Sequence, residues 1–131
     1  MGEITEAKLQ GATVHLGGQQ HGEEGYWIQP TIITNTRPNM NIVNNEIFGP
    51  IAIVIKFKHE EEVLDAENKS MQGLTASFFT KDLTRGVEVA NKLQAGTVWV
   101  NCMNTLYPNV PFGGYKQSGI GRECGQYALD T

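Results

Sequence analysis

The sequence contains only two cysteines and three histidines, which is little material for a scaffold held together by metals or disulfides. Neither Cys102 nor Cys124 has a cysteine or histidine neighbour at the spacing that metal ligands require. The histidines are scattered along the chain, and we interpret each as a surface or loop residue: His15, His21 and His59. The composition therefore predicts neither a metal site nor a disulfide framework.

A cluster of basic residues and a long apolar run are also missing. The net charge is −4 with the two signs interspersed, which argues against a nucleic acid or an anionic membrane as a partner. The longest apolar run, residues 51 to 55, is far too short to span a bilayer. At 131 residues, without repeats or low-complexity linkers, the chain holds the material of one domain.

The first third of the chain predicts short elements punctuated by glycine and proline. We expect the tail of a helix over residues 3 to 10 and a strand over residues 12 to 16. A polar loop is expected over residues 17 to 25, and a turn over residues 35 to 41. Residues 27 to 34 are rich in β-branched and aromatic side chains and predict another strand. Because Pro30 interrupts that strand, we expect it at a sheet edge or bent at the proline.

Strand and helix patterns alternate after this point. Residues 51 to 55 are continuously apolar, which is typical of a strand buried on both faces of a parallel sheet. The glutamates at 60 to 62 favour the start of a helix, because they lie at the positive end of its dipole. We expect this helix to end near Gly73, with an inner face made of Val63, Leu64 and Ala66. A second strand is predicted over residues 76 to 80.

A second helix is expected to begin at Asp82, a good N-cap residue. Its apolar stripe would consist of Leu83, Val87, Ala90 and Leu93. Gly96 stands where a left-handed residue would end this helix. Residues 97 to 101 predict a third strand, and residues 121 to 129 predict a last helix. Strands alternating with helices in this way imply βαβ crossovers and a mostly parallel α/β sheet.

Two glycine-rich segments could carry function. Residues 45 to 50 read Asn-Glu-Ile-Phe-Gly-Pro, and residues 111 to 119 read Pro-Phe-Gly-Gly-Tyr-Lys-Gln-Ser-Gly. Each sets flexible backbone beside aromatic side chains, which suits a site where the main chain approaches a flat polar ligand. Glu46 precedes a strand, however, whereas ligands gather at the carboxyl ends of strands, so position alone favours a solvated loop carboxylate.

These segments belong to four blocks that resemble, in order and spacing, the C-terminal part of the catalytic domain of NAD(P)-dependent aldehyde dehydrogenases. The blocks are residues 25 to 31, 46 to 50, 96 to 102 and 111 to 123. The similarity is closest to the branch that oxidises simple aliphatic, aromatic and retinoid-type aldehydes. The resemblance implies that residues 1 to 131 are one incomplete portion of that domain. It also implies a longer parent that converts an aldehyde to its carboxylic acid through a cysteine thioester.

The resemblance assigns roles to five residues. Glu46 would accept hydrogen bonds from the nicotinamide ribose of NAD or NADP, and Phe48 would pack beside the nicotinamide ring. Thr105, Leu106 and Phe112 would line the substrate tunnel, although Leu106 and Phe112 could instead be ordinary core residues. Leu106 replaces an aromatic residue that many relatives carry there, which would widen the tunnel.

The family's nucleophile and base lie in motifs upstream of these blocks, so we expect no catalytic residue in this chain and no activity of the chain alone. The alternative is a non-catalytic binding or structural module. Cys102 ends a predicted buried strand without basic neighbours, so we interpret it as an inert buried thiol. Cys124, in the predicted last helix, is also interpreted as structural.

Residues 119 to 125 look superficially like a dinucleotide fingerprint, but the third glycine is one residue late and no strand leads into them. We expect Arg122 in this segment to brace a subunit interface or neighbouring loops. For the parent, the resemblance implies an aldehyde substrate and a homodimer or homotetramer. Its compartment would be the cytoplasm or the mitochondrial matrix.

Overall fold

The computed structural model describes residues 1 to 129, and the chain divides into two compact units on either side of the Lys56–Phe57 bond. Each unit has its own sheet, with three strands in the first and two in the second. Both sheets contain parallel pairs, and helices connect the paired strands, which confirms the predicted α/β class. That residues 1 to 131 form one portion of a single domain stays a prediction, and its last two residues lie outside the described part.

The first unit packs two helices around a small mixed sheet. Its elements are α1 (Gly2–Leu9), β1 (Thr13–Leu16), β2 (Thr31–Thr34), α2 (Asn41–Asn44) and β3 (Ile51–Ile53). The middle strand, β2, is antiparallel to β1 and parallel to β3. Five residues form the buried core: Ile4, Ala7, Ile33, Met40 and Ile42. The short helix α2 was not predicted, and it begins within the expected turn region.

Pro30 precedes β2 instead of interrupting it. The strand begins only at Thr31, whose N–H donates to the Pro50 carbonyl at 2.8 Å. Because proline has no N–H to donate, it stands outside the ladder and leaves β2 free to pair on both sides. Residues 27 to 34 were expected to lie at a sheet edge or to bend at the proline. The edge position is wrong, and before the proline only Ile28 pairs, in an isolated bridge with Gln20.

The apolar run over residues 51 to 55 is less buried than its composition predicts. Only Ile51–Ile53 form a strand, β3, and Val54 and Ile55 beyond it are exposed. Within the described residues β3 is the last strand of its sheet, paired on one side with β2. The expectation of a strand buried on both faces is thus wrong for this structure.

The second unit contains one βαβ crossover of the kind expected. The strand at residues 51 to 53 pairs in the sheet of the first unit, so the expected crossover from it to the next strand is not seen among the described residues. Its elements are α3 (Glu60–Lys69), β4 (Thr75–Phe78), α4 (Leu83–Lys92), β5 (Thr97–Val100) and two 3₁₀ helices, Lys116–Ser118 and Gln126–Leu129. Strands β4 and β5 are parallel, in register from Thr75 opposite Thr97 to Phe78 opposite Val100, and α4 connects them. Helix α3 starts at the glutamates as expected but ends at Lys69 rather than near Gly73. Of its predicted inner face, Leu64 is buried and Ala66 is exposed.

Helix α4 confirms its predicted cap but only part of its predicted face. The Arg85 N–H donates to the Asp82 Oδ1 atom at 3.1 Å, as expected for an N-cap. Leu83 is 82% exposed and Val87 is 56% exposed, so the first half of the predicted stripe is wrong, whereas Ala90 and Leu93 are partly buried. The buried residues are Gly86 and Val89. A Cβ at Gly86 would lie 3.4 Å from the Val100 side chain, so the smallest residue of the helix faces the sheet.

Two further expectations near the end of the chain are wrong. Helix α4 ends at Lys92, and Gly96 is not left-handed; a Cβ there would lie 1.7 Å from the Gly113 carbonyl oxygen, so close packing requires the glycine. Residues 121 to 129 form only the final 3₁₀ turn. Gly121 and Cys124 both have positive φ, 84° and 62°, which a right-handed helix cannot contain. Over residues 1 to 129, no helix is long and apolar enough to cross a membrane.

Candidate cofactor and substrate sites

The segment from residue 45 to residue 50 joins α2 to β3 and is fixed at both ends. At its start the Asn45 N–H donates to the Asn41 carbonyl at 2.8 Å. At its end the Pro50 carbonyl accepts the Thr31 N–H, also at 2.8 Å, which ties the segment to β2. Its backbone is therefore held by the neighbouring helix and strand.

Side chains in this segment divide between the core and the surface. Ile47 packs against the buried cluster of the first unit. The residues on either side of it, Glu46 and Phe48, are exposed, and Phe48 is 92% exposed. The Glu46 carboxylate has no hydrogen bond or ion pair among residues 1 to 129, and nothing lies within 4 Å of the position where a Cβ at Gly49 would stand. A carboxylate, an aromatic ring and open backbone are thus presented together.

The second glycine-rich segment, residues 111 to 119, packs against other residues of the second unit. The Gly73 carbonyl accepts N–H groups from Gly96 at 3.0 Å and from Tyr115 at 2.8 Å. The Gly73 N–H in turn donates to Ser118 Oγ at 2.8 Å. A Cβ at Gly114 would lie 2.6 Å from the Ser118 Cβ. Internal packing therefore requires Gly113 and Gly114, whereas the sequence pattern predicted that the glycines of this segment approach a ligand.

Arg122 and Lys116 fasten the same segment. The Arg122 Nη1 group donates to the carbonyls of Gly114 at 3.1 Å and Gly121 at 2.7 Å, and the guanidinium lies 5.5 Å from the centroid of the Tyr115 ring. The expectation that Arg122 braces neighbouring loops is confirmed. The Lys116 ammonium donates to the carbonyls of Asn68 and Ser70, each at 3.0 Å, at the negative end of α3.

The predicted tunnel residues fall in two places within the second unit. Thr105 and Leu106 lie on an exposed loop after β5, and Leu106 is 56% exposed. Phe112 is partly buried and forms a two-bond bridge with Glu123, each N–H···O distance being 2.8 Å. Phe112 also lines an open cavity of about 410 Å³ whose walls do not include the other two residues. The structure thus joins Thr105 with Leu106 and places Phe112 separately.

The cysteines differ from their predicted environments. Cys102 is exposed, because β5 ends at Val100 and the left-handed backbone of Asn101, with φ of 61°, turns the chain out of the sheet. Cys124 is partly buried, in a left-handed conformation rather than a helix. Both thiols are free. No group of three or more histidine, cysteine, aspartate or glutamate residues within residues 1 to 129 could hold a metal ion.

Two residues that organise the second unit were missed in the sequence. Asn68 donates through Nδ2 to the Lys92 carbonyl and accepts the Gln94 N–H, both at 2.8 Å, and so connects the ends of α3 and α4. The Trp99 indole Nε1–H donates to the Thr105 carbonyl at 2.9 Å. The signal for Trp99 was available, because a tryptophan on a packed strand normally directs its N–H to an acceptor. No comparable signal marked Asn68.

The profile of the aldehyde dehydrogenase family matches residues 1–131. The aldehyde dehydrogenase of Agaricus bisporus is 57% identical over 129 residues, which are 98% of this chain and 26% of that protein. Retinaldehyde dehydrogenase 3 of Homo sapiens is 46% identical over 126 residues, 96% of this chain and 25% of that protein. The NAD+ complex of the Bacillus cereus aldehyde dehydrogenase superposes with a TM-score of 0.94 at 50% identity, over 98% of this chain and 26% of that one.

The chain thus spans about a quarter of the length of the relatives that it matches, at around half of the residues identical. Similarity of this kind is present in the sequence and in the backbone alike. The chain belongs to the aldehyde dehydrogenase family.

Proposed function

We propose that the protein to which this chain belongs oxidises an aldehyde to its carboxylic acid with NAD or NADP through a cysteine thioester. In this proposal the chain supplies contacts to the nicotinamide ribose and part of the substrate tunnel, and the nucleophile and base come from elsewhere in the protein. Family membership supports the reaction class. One solved relative is an NAD+ complex, which supports a nicotinamide cofactor. We also propose that the protein is a homodimer or homotetramer and that it is located in the cytoplasm or mitochondrial matrix.

The observation that carries the proposal is the arrangement around Ile47. Ile47 is partly buried and packs against the core, which holds the backbone, while Glu46 and Phe48 on either side stay exposed. Burying a phenylalanine side chain stabilises a protein by about 1.5–3 kcal/mol, so a ring that is 92% exposed in a well-held segment suggests a partner surface. An exposed carboxylate beside it gives that surface a polar contact.

These residues fit a nicotinamide nucleoside. An ionised carboxylate has two oxygens that accept hydrogen bonds, so Glu46 can bind both hydroxyls of a ribose diol. Phe48 offers a flat apolar wall for an aromatic ring, and the open space beside Gly49 lets a ligand approach the backbone. When bound, the nicotinamide supplies hydride-accepting chemistry. The chain's own contribution is to hold the ribose and orient the ring.

The substrate side of the proposal rests on the loop after β5. Leu106 exposes an apolar side chain next to Thr105, and contact with a hydrophobic aldehyde would contribute about 25 cal/mol for each Å² of apolar surface removed from water. Phe112 is assigned to the same tunnel by family resemblance. Its partial burial and its place beside the cavity of about 410 Å³ suit a tunnel wall as well as a core position.

The test is turnover by the full-length gene product. We expect reduction of NAD+ or NADP+ that depends on an added aliphatic or aromatic aldehyde, and release of the carboxylic acid. The 131-residue chain alone should give no turnover above its Cys102→Ala variant, because we place the nucleophile and base outside it. If the full-length protein binds the cofactor but oxidises none of the aldehydes, the alternative of a non-catalytic binding module gains support.

A further inference from the structure

The loop that carries Thr105 and Leu106 has little support from its own packing. Every residue from 101 to 110 is exposed, and both Asn101 and Asn104 have left-handed backbone, with φ of 61° and 56°. A segment of this kind adopts many conformations unless specific bonds restrain it, because it buries too little apolar surface to offset its conformational entropy. The position of its side chains therefore depends on its few attachments.

The first attachment is at the base of the loop. The Asn101 N–H donates to the Phe78 carbonyl at 2.9 Å, which continues the pairing of β4 with β5. The Asn101 Oδ1 atom accepts the Thr80 N–H at 2.8 Å. These bonds fix where the loop leaves the sheet. At the other end of the loop the Gly125 N–H donates to the Pro108 carbonyl at 2.9 Å, and neither of these attachments reaches residues 102 to 106.

The attachment within residues 102 to 106 comes from Trp99. Its indole Nε1–H donates to the Thr105 carbonyl at 2.9 Å. Among residues 1 to 129 this is the one hydrogen bond that reaches residues 102 to 106. Trp99 itself is partly buried in β5, opposite Ser77 of β4, so the donor is held by the sheet. A rigid strand thus restrains the loop at Thr105.

We infer that Trp99 is a positioning residue for the substrate. Its indole N–H holds the Thr105 carbonyl, which belongs to the peptide group that joins Thr105 to Leu106, so it sets the positions of both residues. The inference rests on the proposed function, because it assigns the loop to the aldehyde tunnel. Trp99 does not touch the reacting atoms. Its contribution is to selectivity, since aldehydes long enough to reach Leu106 benefit from a fixed loop and acetaldehyde does not.

The test compares Trp99→Phe with Trp27→Phe in the full-length protein. Trp99→Phe keeps an aromatic ring and removes the donor, whereas Trp27 is 71% exposed and serves as the matched control. Losing a neutral hydrogen bond corresponds to a factor of about two to ten. We expect kcat/KM for a long-chain or aromatic aldehyde to fall by that factor through a higher KM in Trp99→Phe. The values for acetaldehyde and for Trp27→Phe should stay close to the wild type.

A double-mutant cycle with Leu106→Ala separates positioning from general destabilisation. If Trp99 acts through Leu106, the effect of Trp99→Phe on the ratio of long to short aldehydes disappears in the Leu106→Ala background. An unchanged ratio in Trp99→Phe, or an equal loss in both backgrounds, overturns the inference. Should Trp99→Phe fail to fold, 3-benzothienylalanine at position 99 replaces the N–H by sulfur and keeps the shape of the ring.

The mobility of the loop provides a readout that does not depend on activity. In crystals of the full-length variants, the B-factors of residues 102 to 106, relative to those of β4 and β5, should be higher in Trp99→Phe than in Trp27→Phe. If the wild type oxidises no aldehyde, the proposed function fails and the relative B-factors alone decide whether the Trp99 hydrogen bond restrains the loop. If the wild type is active and the relative B-factors of residues 102 to 106 are the same in both variants, the inference fails and the proposed function stands.

Discussion

Gly96 and Gly113 meet backbone to backbone, so closely that a Cβ on Gly96 would lie 1.7 Å from the Gly113 carbonyl oxygen. The contact joins the start of β5 to the second glycine-rich segment. No side chain fits between the two residues. The sequence pattern explained Gly96 as the residue that ends a helix, whereas the structure shows that its contact with Gly113 requires a glycine.

We therefore expect Gly96→Ala to lower the free energy of unfolding by about 1–3 kcal/mol or more, as overpacked sites do. Gly86→Ala is the matched control: its Cβ would lie 3.4 Å from Val100, and alanine is favoured in a helix by about 1 kcal/mol, so the change should be small. Urea unfolding followed by circular dichroism measures both. Equal midpoints for the two variants would show that the backbone contact can relax without loss.

Glu46→Gln in the full-length protein tests the proposed contact with the cofactor. A hydrogen bond to a charged partner is worth about 1.5–3 kcal/mol, so hydride transfer should slow by roughly ten- to hundredfold. The deuterium isotope effect on kcat with a deuterated aldehyde should rise, because the slow step shifts toward hydride transfer. Glu23→Gln, an exposed glutamate of the same unit, should change neither value. An unchanged isotope effect and kcat in Glu46→Gln would make Glu46 a solvated loop residue.

Asn68→Ala should destabilise the second unit, because it leaves the Lys92 carbonyl and the Gln94 N–H without their partner. Two net hydrogen bonds suggest a loss of about 1–3 kcal/mol in the free energy of unfolding. Asn91→Ala, an exposed asparagine of α4, should be neutral or slightly stabilising because alanine favours the helix. Thermal unfolding of the two variants gives the comparison. A smaller loss of stability from Asn68→Ala than from Asn91→Ala would contradict the role of Asn68 in connecting α3 and α4.

Asp82→Ala removes the N-cap of α4, whose oxygen accepts the Arg85 N–H. The typical loss is about 1 kcal/mol of stability. Asp82→Asn retains a capping acceptor and should recover most of that loss, whereas a purely electrostatic role would leave both variants equally unstable. Chemical denaturation distinguishes the two outcomes.

Features decided by neighbours in sequence were predictable. The cap at Asp82 depends on an amide three positions later, and the glutamates that start α3 depend on the first turn alone. Leu83 and Val87 were wrongly assigned to the buried stripe of α4 because the approach of Gly86 to Val100 sets which face is buried. Helix periodicity contains no information about that distant strand.

The candidate site residues likewise depend on information that is not local in the sequence. Glu46 and Phe48 could be named only through family resemblance, because nothing in their spacing distinguishes them from a surface turn. The exposure of Cys102 depends on the left-handed turn at Asn101, which an asparagine permits but does not require. The hydrogen bond from Trp99 to the Thr105 carbonyl depends on how the loop folds back toward the strand, which local propensity does not specify.

The two hydrogen bonds that the Gly73 carbonyl accepts have a consequence for the order of folding. Gly96 and Tyr115 both donate to this oxygen, and the β4–β5 pairing brings Gly96 into place. The segment around Tyr115 has no docking surface until those strands have paired, and closing so long a loop early is entropically unfavourable. We expect the segment to dock late, so that Gly113→Ala accelerates unfolding far more than it slows folding. The glycine-rich segment then acts as a latch on a unit that is already assembled.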